Sequence, residues 1–480
     1  MGNQGQEAQQ PCHAQQWCAS ICCGCPSLTR LDTVLDIEGP IKAEELWRGV
    51  PLRNLLSGFG RVIRTRPDTL PVAERAKLFR LSRQVDTFDI FISHVCGTSG
   101  FMKYITLVMD QIGWCAFVAA LVASCVLFVL QACWHQLPRA VYFTRYDSML
   151  GVFITASFWE LLGGVTSAWL VYALGHLSCR RIYCFFDFAS ISQTRVDLKA
   201  AGISNIPAFI RASRELLVLW DENYFSRLWC VYELAVAQSV RGIPIRNLPM
   251  HVYVLLALGQ LCWFAAGMIY LLVTPWDFWG GHFGTLSAGI PVFALQAHAG
   301  CTFARLYRKL QEQFESFDVR GALISYESDR RSICVSIEEL FGGSLDTFNH
   351  QVRTNLKAAV LHSLTGQRAM LTYRGLLWQT LPAMPLMFST FSSTLHLPLY
   401  HHVSHYLFGV TFGFCVLPTS SAAAMELGKR IAACTSMTGP MTAIGHAGVG
   451  ILFASFLCGW YQLVWILPCW VSVGGMHEFG

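Results

Sequence analysis

The sequence has little charge: Asp, Glu, Lys and Arg make up 14% of its 480 residues, against 53% hydrophobic residues. Soluble chains carry about a quarter charged residues. A chain this poor in charge cannot cover a soluble surface, which excludes a purely soluble globular architecture. Length alone suggests two or three domains, but the apolar residues come in blocks as long as bilayer-spanning helices, so hydropathy takes precedence. Any cluster of basic residues is also missing. The net charge is +5 with Lys and Arg dispersed, so there is no nucleic-acid footprint and no nucleic-acid partner is expected. No Walker loop, dinucleotide fingerprint or HExxH zinc motif occurs, and most familiar enzyme classes lose their support. The N-terminal region lacks the apolar core of a cleaved signal peptide.

Cysteine is plentiful, with nineteen in the chain, but Cys115, Cys125, Cys133, Cys262, Cys458 and Cys469 fall in apolar blocks, where free thiols are expected rather than a disulfide scaffold. Five more, Cys12, Cys18, Cys22, Cys23 and Cys25, crowd a polar tail over residues 1–30. That tail begins Met1-Gly2-Asn3, which offers Gly2 for N-myristoylation with Cys22 and Cys23 as palmitoylation sites, although Gln6 stands where the motif has Ser or Thr. A plain disordered tail is the competing reading. A metal site that includes His13 is a third, but the spacing is not that of a zinc knuckle, and no metal ligands are assigned.

Seven stretches are long and apolar enough to cross hydrocarbon: 113–134, 149–176, 250–273, 284–304, 375–395, 406–424 and 448–471. The fourth is rich in Gly and Ala and holds His298; the fifth contains Pro382 and Pro385, which kink a span without forbidding it. Basic residues set the orientation, because cytosolic loops retain Lys and Arg. Segments 177–249 and 305–374 carry nine and ten of them, whereas 274–283 and 396–405 carry none and 135–148 only Arg139 and Arg145. The first pair belongs in the cytosol with the N-terminus; the three short connections and the C-terminus belong on the far side.

The segments assigned to the cytosol contain strands. Asp86-Thr87-Phe88-Asp89-Ile90-Phe91-Ile92-Ser93-His94 is an apolar run ending in polar residues, as a buried parallel strand does. Arg181–Asp187 and Glu215–Asp221 are two more, the last preceded by a helical stretch with Pro207, Phe209 and Ile210. Strand and helix in alternation imply a parallel sheet. Two spans separate the first strand from the second, and two more follow the strand-like Gly242–Arg246. Because an even number of crossings returns the chain to the same side, the topology permits one discontinuous domain. Ala322–Tyr326 and Asp329–Leu340 are its candidate last strand and helix.

These residues carry a family resemblance. FDIFISH (88–94) resembles the first strand of Toll/interleukin receptor (TIR) domains, and ELLVLWDENYFSRLWCVYELAVA (215–237) resembles their third strand and the helix with the Trp-Cys-x-x-Glu-Leu signature, here Trp229, Cys230 and Glu233. With Phe88, Asp89, Phe91, Ser93 and Asp187 these form the signature set. The loop Phe188–Gln193 lacks the Arg-Asp or Arg-Gly elements common in TIR domains and looks closer to divergent, membrane-inserted forms of unicellular eukaryotes. The resemblance implies an α/β flavodoxin-like parallel sheet, here combined with an α-helical multi-pass bundle of about seven helices. The expected organisation is a tail (1–30), a cytosolic segment (31–85), the first strand and helix (86–112), a membrane hairpin (113–176), the TIR-like core (177–249), a second hairpin (250–304), the completion of the domain (305–374) and a C-terminal membrane region (375–480).

The resemblance also implies function. TIR domains commonly act by self-association, so signalling or scaffolding at a membrane is the leading expectation, with the lipid bilayer and a second copy of the chain as partners. Some TIR domains cleave NAD at the nicotinamide–ribose bond with a glutamate on the helix after the third strand, and Glu233 is the matching residue. In that enzyme NAD is a substrate, no bound cofactor is expected, and Glu233 has to lie partly exposed near the carboxyl ends of the strands, ionised at neutral pH and with room for a ribose. Asp187 and Asp221 end strands near the same crevice, where loop capping is their simpler role. A transporter or channel is the second alternative. It rests on Glu160, a costly charge inside the second span that marks either an ion path or a hydrogen bond to a neighbouring helix. His396, His401, His402 and His405 read as a solvated loop or a metal-binding one.

Overall fold

The computed structural model describes residues 43–66, 69–134, 137–138, 144–147, 152–179, 181–239, 243–273, 278–324, 327–365, 372–395, 406–407, 409–434 and 439–477. Gly2, Cys22, Cys23 and the histidines of 396–405 lie outside these residues. The strands are β1 (Arg48–Pro51), β2 (Arg83–Gln84), β3 (Phe88–His94), β4 (Thr144–Asp147), β5 (Val152–Thr155), β6 (Tyr183–Phe185), β7 (Ser213–Trp220) and β8 (Ile245–Pro249). The main helices are α1 (Leu52–Arg64), α2 (Gly100–Trp134), α3 (Trp159–Leu174), α4 (Leu228–Ser239) and α5 (Met250–Val273), followed by α6 (Phe278–Glu315), α7 (Glu327–Leu340), α8 (Ala383–Ser393), α9 (Leu417–Cys434) and α10 (Pro440–His477).

Six strands form one sheet in the order β2-β1-β6-β3-β7-β8. β6, β3, β7 and β8 are parallel, with Phe91 opposite Phe185 and Leu216. The three runs at 88–94, 183–185 and 213–220 thus pair across a long insertion, as their shared pattern predicts. β1 and β2 add an antiparallel edge, Val50 pairing with Cys184. This edge was not foreseen, because a four-residue strand that ends in Pro51 has too little periodicity to register. Leu323 makes a single parallel bridge to Arg227, so no further strand joins the sheet from 322–324. β4 and β5 form a separate hairpin.

Alternate side chains of the central strands face opposite layers, as the pleat requires. Phe91, Phe185, Leu216, Val218 and Trp220 face a core with α4, Phe314, Ile337 and Phe348. Ile90, Ile92, Cys184, Leu217 and Leu219 face α1, the first turns of α2 and the start of α5. Phe91 stacks on Phe185 with centroids 4.6 Å apart. Cys115, Cys125, Cys133 and Cys262 are free thiols, as expected for the apolar blocks, and so are buried Cys184 and Cys230.

Among the described residues, five helical segments are long and apolar enough to cross a membrane: Gly100–Trp134, Trp159–Ser178, Met250–Val273, Gly409–Cys434 and Pro440–Trp460. This is consistent with an integral membrane protein and is two fewer than the seven stretches expected. The stretch 284–304 lies in α6, which is helical throughout but too rich in Gly, Thr and His to meet the same apolarity. The stretch 375–395 breaks at Thr380–Pro382 into Tyr373–Gln379 and α8, each too short to span, because Pro382 cannot extend the preceding helix. The stretch 149–176 begins its helix only at Trp159, since residues 152–155 belong to the β4–β5 hairpin.

The helical bundle is built on small residues at close crossings. A Cβ at Gly300 would stand 2.0 Å from the Met425 carbonyl oxygen, and one at Gly428 would stand 1.9 Å from that of Ala297, so α6 and α9 touch backbone to backbone at both points. Two helices are shared with the sheet. The first turns of α2 pack Leu107, Val108 and Ile112 against it, while Ala116, Phe117 and Ala120 pack in the bundle. α6 places Val292, Phe293 and Ala297 in the bundle and Leu310 and Phe314 in the sheet's core. Where α2 and α5 meet the sheet, Arg246 of β8 donates to Asp110 at 2.6 and 2.8 Å and to Glu215 of β7 at 3.1 Å. Tyr253 of α5 also donates to Asp110, at 3.4 Å.

Candidate functional site

The carboxyl ends of β3, β6 and β7 gather most of the sequence-derived site residues. β3 is the hinge of the arrangement because its last two side chains point to opposite faces. On one face the Ser93 hydroxyl donates to Glu233 Oε2 of α4 at 2.5 Å and shares a short hydrogen bond with the Tyr224 hydroxyl. Tyr224 is fully buried, and its hydroxyl stands 3.5 Å from the Cys230 carbonyl oxygen. The Cys230 thiol points at the His94 carbonyl oxygen, 3.8 Å away. Ser93 therefore bonds, within one internal network, partners 131 and 140 residues distant in sequence.

On the other face His94 is buried, stacked on Phe186 at 4.9 Å and met edge-on by Phe188 at 5.4 Å. Its Nε2 stands 3.9 Å from Asp187 Oδ1 and has no hydrogen-bond partner among the described residues. The ligand atoms of His94, Cys96 and Asp187 all lie within 4.8 Å of one another, which makes these three the residues fitted to hold a metal. Asp187 accepts the Phe188 amide at 2.8 Å. Asp221, 4% exposed, accepts the Asn223 amide at 3.0 Å and the Thr98 hydroxyl, so both aspartates cap loops.

The electrostatics of this end of the sheet favour neutral groups. Glu233 is half-buried, and enclosure by protein is the largest influence on its carboxyl, pushing it up to about 8 against the lowering effect of the Ser93 hydrogen bond; the negative charge of Asp187 raises it further. Asp187 is raised to about 6, again chiefly by burial, with the Phe188 amide, Lys103 and Lys199 opposing. His94 is held well below its usual value by burial and then by the charge of Lys103. Glu233 is thus partly exposed and near the strand ends, as a ribose-facing glutamate has to be. It differs in holding its proton at neutral pH, because burial disfavours the charge and Asp187 adds to that effect.

The other signature residues serve the fold. Asp89, at the opposite end of β3, accepts the Tyr183 amide at 2.8 Å and pairs with Arg214 at 3.0 Å, fixing where β6 begins. Phe88 lies in a cluster with Trp47, Phe185 and Phe209. Trp229 is partly exposed and meets Tyr232 edge-on, whereas Cys230 is core. Tyr224, Cys96, Thr98 and Lys103 escaped sequence reasoning, since no local spacing links them to β3.

Within the bundle, Glu160 is fully buried and accepts hydroxyls from Ser157 at 2.7 Å, from Ser389 at 3.4 Å and from Ser392. The reading of Glu160 as a hydrogen bond to a neighbouring helix describes this geometry, α8 being the neighbour. Comparison with known proteins finds no matching family model, no matching curated protein and no matching solved structure.

Proposed function

We propose that the chain is a multi-pass membrane protein whose cytosolic, TIR-like α/β domain signals or scaffolds by self-association. The order β6-β3-β7-β8 is the 2-1-3-4 order of flavodoxin-like sheets and supports that assignment, as does the position of Glu233 beside the strand-order reversal. The observation that carries the reading is the pair of helices, α2 and α6, that run unbroken from the bundle into the two cores of the sheet. A domain held on stiff rods is suited to coupling membrane and cytosol, whereas an enzyme needs only a tether. The strand ends support the same preference: their serine, tyrosine and glutamate are spent on one another.

NAD glycohydrolysis by Glu233 remains the alternative reading, and it requires the ionised carboxylate that the burial of Glu233 opposes. Both are tested on the full chain in lipid nanodiscs and in detergent. Single-molecule mass measurement is expected to give dimers or larger assemblies, and incubation with NAD is expected to release no nicotinamide. Strictly monomeric protein that turns over NAD, with loss of turnover in Glu233→Gln, overturns the proposal.

A further inference from the structure

His94 stands apart from its neighbours at the strand ends. Ser93, Tyr224, Glu233, Thr98 and Asp221 bond one another or nearby amides, whereas His94 Nε2, in a residue only 8% exposed, has no hydrogen-bond partner among the described residues. A buried polar atom left unbonded costs about 1–3 kcal/mol, and in a native structure it is a mark of an occupant such as a water or an ion. The ring is not free to turn away. Phe186 lies parallel to it at an interplanar angle of 15° and Phe188 closes its side at 90°, so Nε2 stays aimed at Asp187, 3.9 Å distant. Cys96, two residues beyond His94, brings a thiol to the same point, completing a trio of ligand atoms within 4.8 Å of one another.

We propose that His94, Cys96 and Asp187 bind one Zn²⁺ or a chemically similar borderline-soft divalent cation. Bond lengths of about 2.0–2.3 Å to N, O and S in a tetrahedral site place ligand atoms roughly 3.3–3.7 Å apart. Closure by about 1 Å then completes the site, and half-buried Cys96 and Asp187 supply it while His94 stays fixed. Magnesium and calcium, which take oxygen ligands, are excluded by the thiol and imidazole. A thiolate and a carboxylate match the ion's two charges; the positive charges of Lys103 and Lys199 acting on this pocket set the affinity below that of a cage without lysines. Three protein ligands leave a fourth position facing the partly exposed side, for water or an incoming group. This site is independent of the scaffolding reading.

The test uses the full chain in detergent with Cys12, Cys18, Cys22, Cys23 and Cys25 replaced by serine, so that the tail contributes no thiols. After chelation and buffer exchange it is titrated with Co²⁺ alone, then with Zn²⁺. One equivalent of Co²⁺ is expected to produce a thiolate charge-transfer band and tetrahedral d–d absorption, both removed by one equivalent of Zn²⁺. Cys96→Ser is expected to abolish the charge-transfer band, and His94→Gln to lose stoichiometric binding. Because His94→Gln disturbs a packed ring, a second measurement needs no substitution at the site. Zn²⁺ is expected to slow alkylation of Cys96 at least tenfold, as followed by peptide mass spectrometry. Absence of the band, its persistence in Cys96→Ser, or alkylation of Cys96 unaffected by Zn²⁺ each overturns the assignment.

Discussion

Replacing Glu233 by Gln keeps the size and the hydrogen-bond acceptor facing Ser93 while removing the ability to ionise. In the folded chain this carboxyl holds its proton up to about 8 rather than the 4.5 of a free glutamate. The folded state therefore binds more protons than the unfolded state between those two values, and stability falls as pH rises through that window. At about 1.4 kcal/mol per pH unit the full window corresponds to about 5 kcal/mol. Partial exposure of Glu233 to solvent and its coupling to Asp187 reduce this to roughly 2–3 kcal/mol. The wild-type chain in detergent, with chelator present, is expected to lose that much stability between pH 5 and pH 8.5, measured as the denaturation midpoint, while Glu233→Gln loses distinctly less. The two proteins should match near pH 5 and diverge in favour of the variant above pH 7. A wild-type profile that is flat, or that rises with pH relative to the variant, refutes the protonated, enclosed Glu233 and revives the ionised one that NAD cleavage needs.

Three further outcomes follow from the packing. Arg246→Met leaves the partly buried Asp110 and Glu215 without their shared cation, and a cost of about 2–3 kcal/mol, below that of a fully buried pair, is expected; an unchanged thermal midpoint contradicts that junction. Gly428→Ala and Gly300→Ala each drive a methyl into a backbone carbonyl and should lower the midpoint by the equivalent of roughly 1–3 kcal/mol. Gly448→Ala, where an added Cβ meets nothing within 4 Å, should leave it unchanged. Glu160→Leu removes the acceptor of Ser157, Ser389 and Ser392, with an expected loss of about 1–3 kcal/mol; a stable Glu160→Leu protein with the bundle intact in a protease-protection assay argues against a bonding role for that carboxyl.

The strands of the sheet's centre were legible because their apolar runs are long and end in polar residues, as at Ser93-His94 and Trp220-Asp221. The edge was not, since β1 offers only Arg48–Pro51. The membrane helices were legible by apolarity, but their limits were not: a proline at 382 splits one stretch, and a hairpin at 144–155 shortens another. Glu233 was found through its motif, yet neither its bond to Ser93 nor its raised pKa had a local signal. Both depend on how β3 and α4 pack, across 140 residues of chain. The same holds for His94, whose neighbours Phe186 and Asp187 arrive only after two crossings of the bundle.

The insertion of membrane helices into a parallel sheet becomes intelligible from the geometry of crossovers. Parallel neighbours need a connection of a dozen or more residues, usually a helix packed on the sheet. Between β3 and β6 that duty falls to the first turns of α2, through Tyr104, Leu107, Val108 and Ile112, and nothing in it requires the helix to stop there. Continued to 35 residues, or about 52 Å at 1.5 Å per residue, α2 is long enough to cross a bilayer, and α3 brings the chain back to the sheet. The sheet keeps its crossover and the bundle gains a span. One consequence is mechanical: α2 begins at Gly100, six residues beyond His94 and three before buried Lys103. A rotation or axial shift of α2 within the bundle is therefore delivered to the end of β3, where Ser93, His94 and Cys96 stand. An α/β domain attached through a flexible linker has no such path, whereas here only the turn 95–99 separates the long helix from the residues of the candidate site.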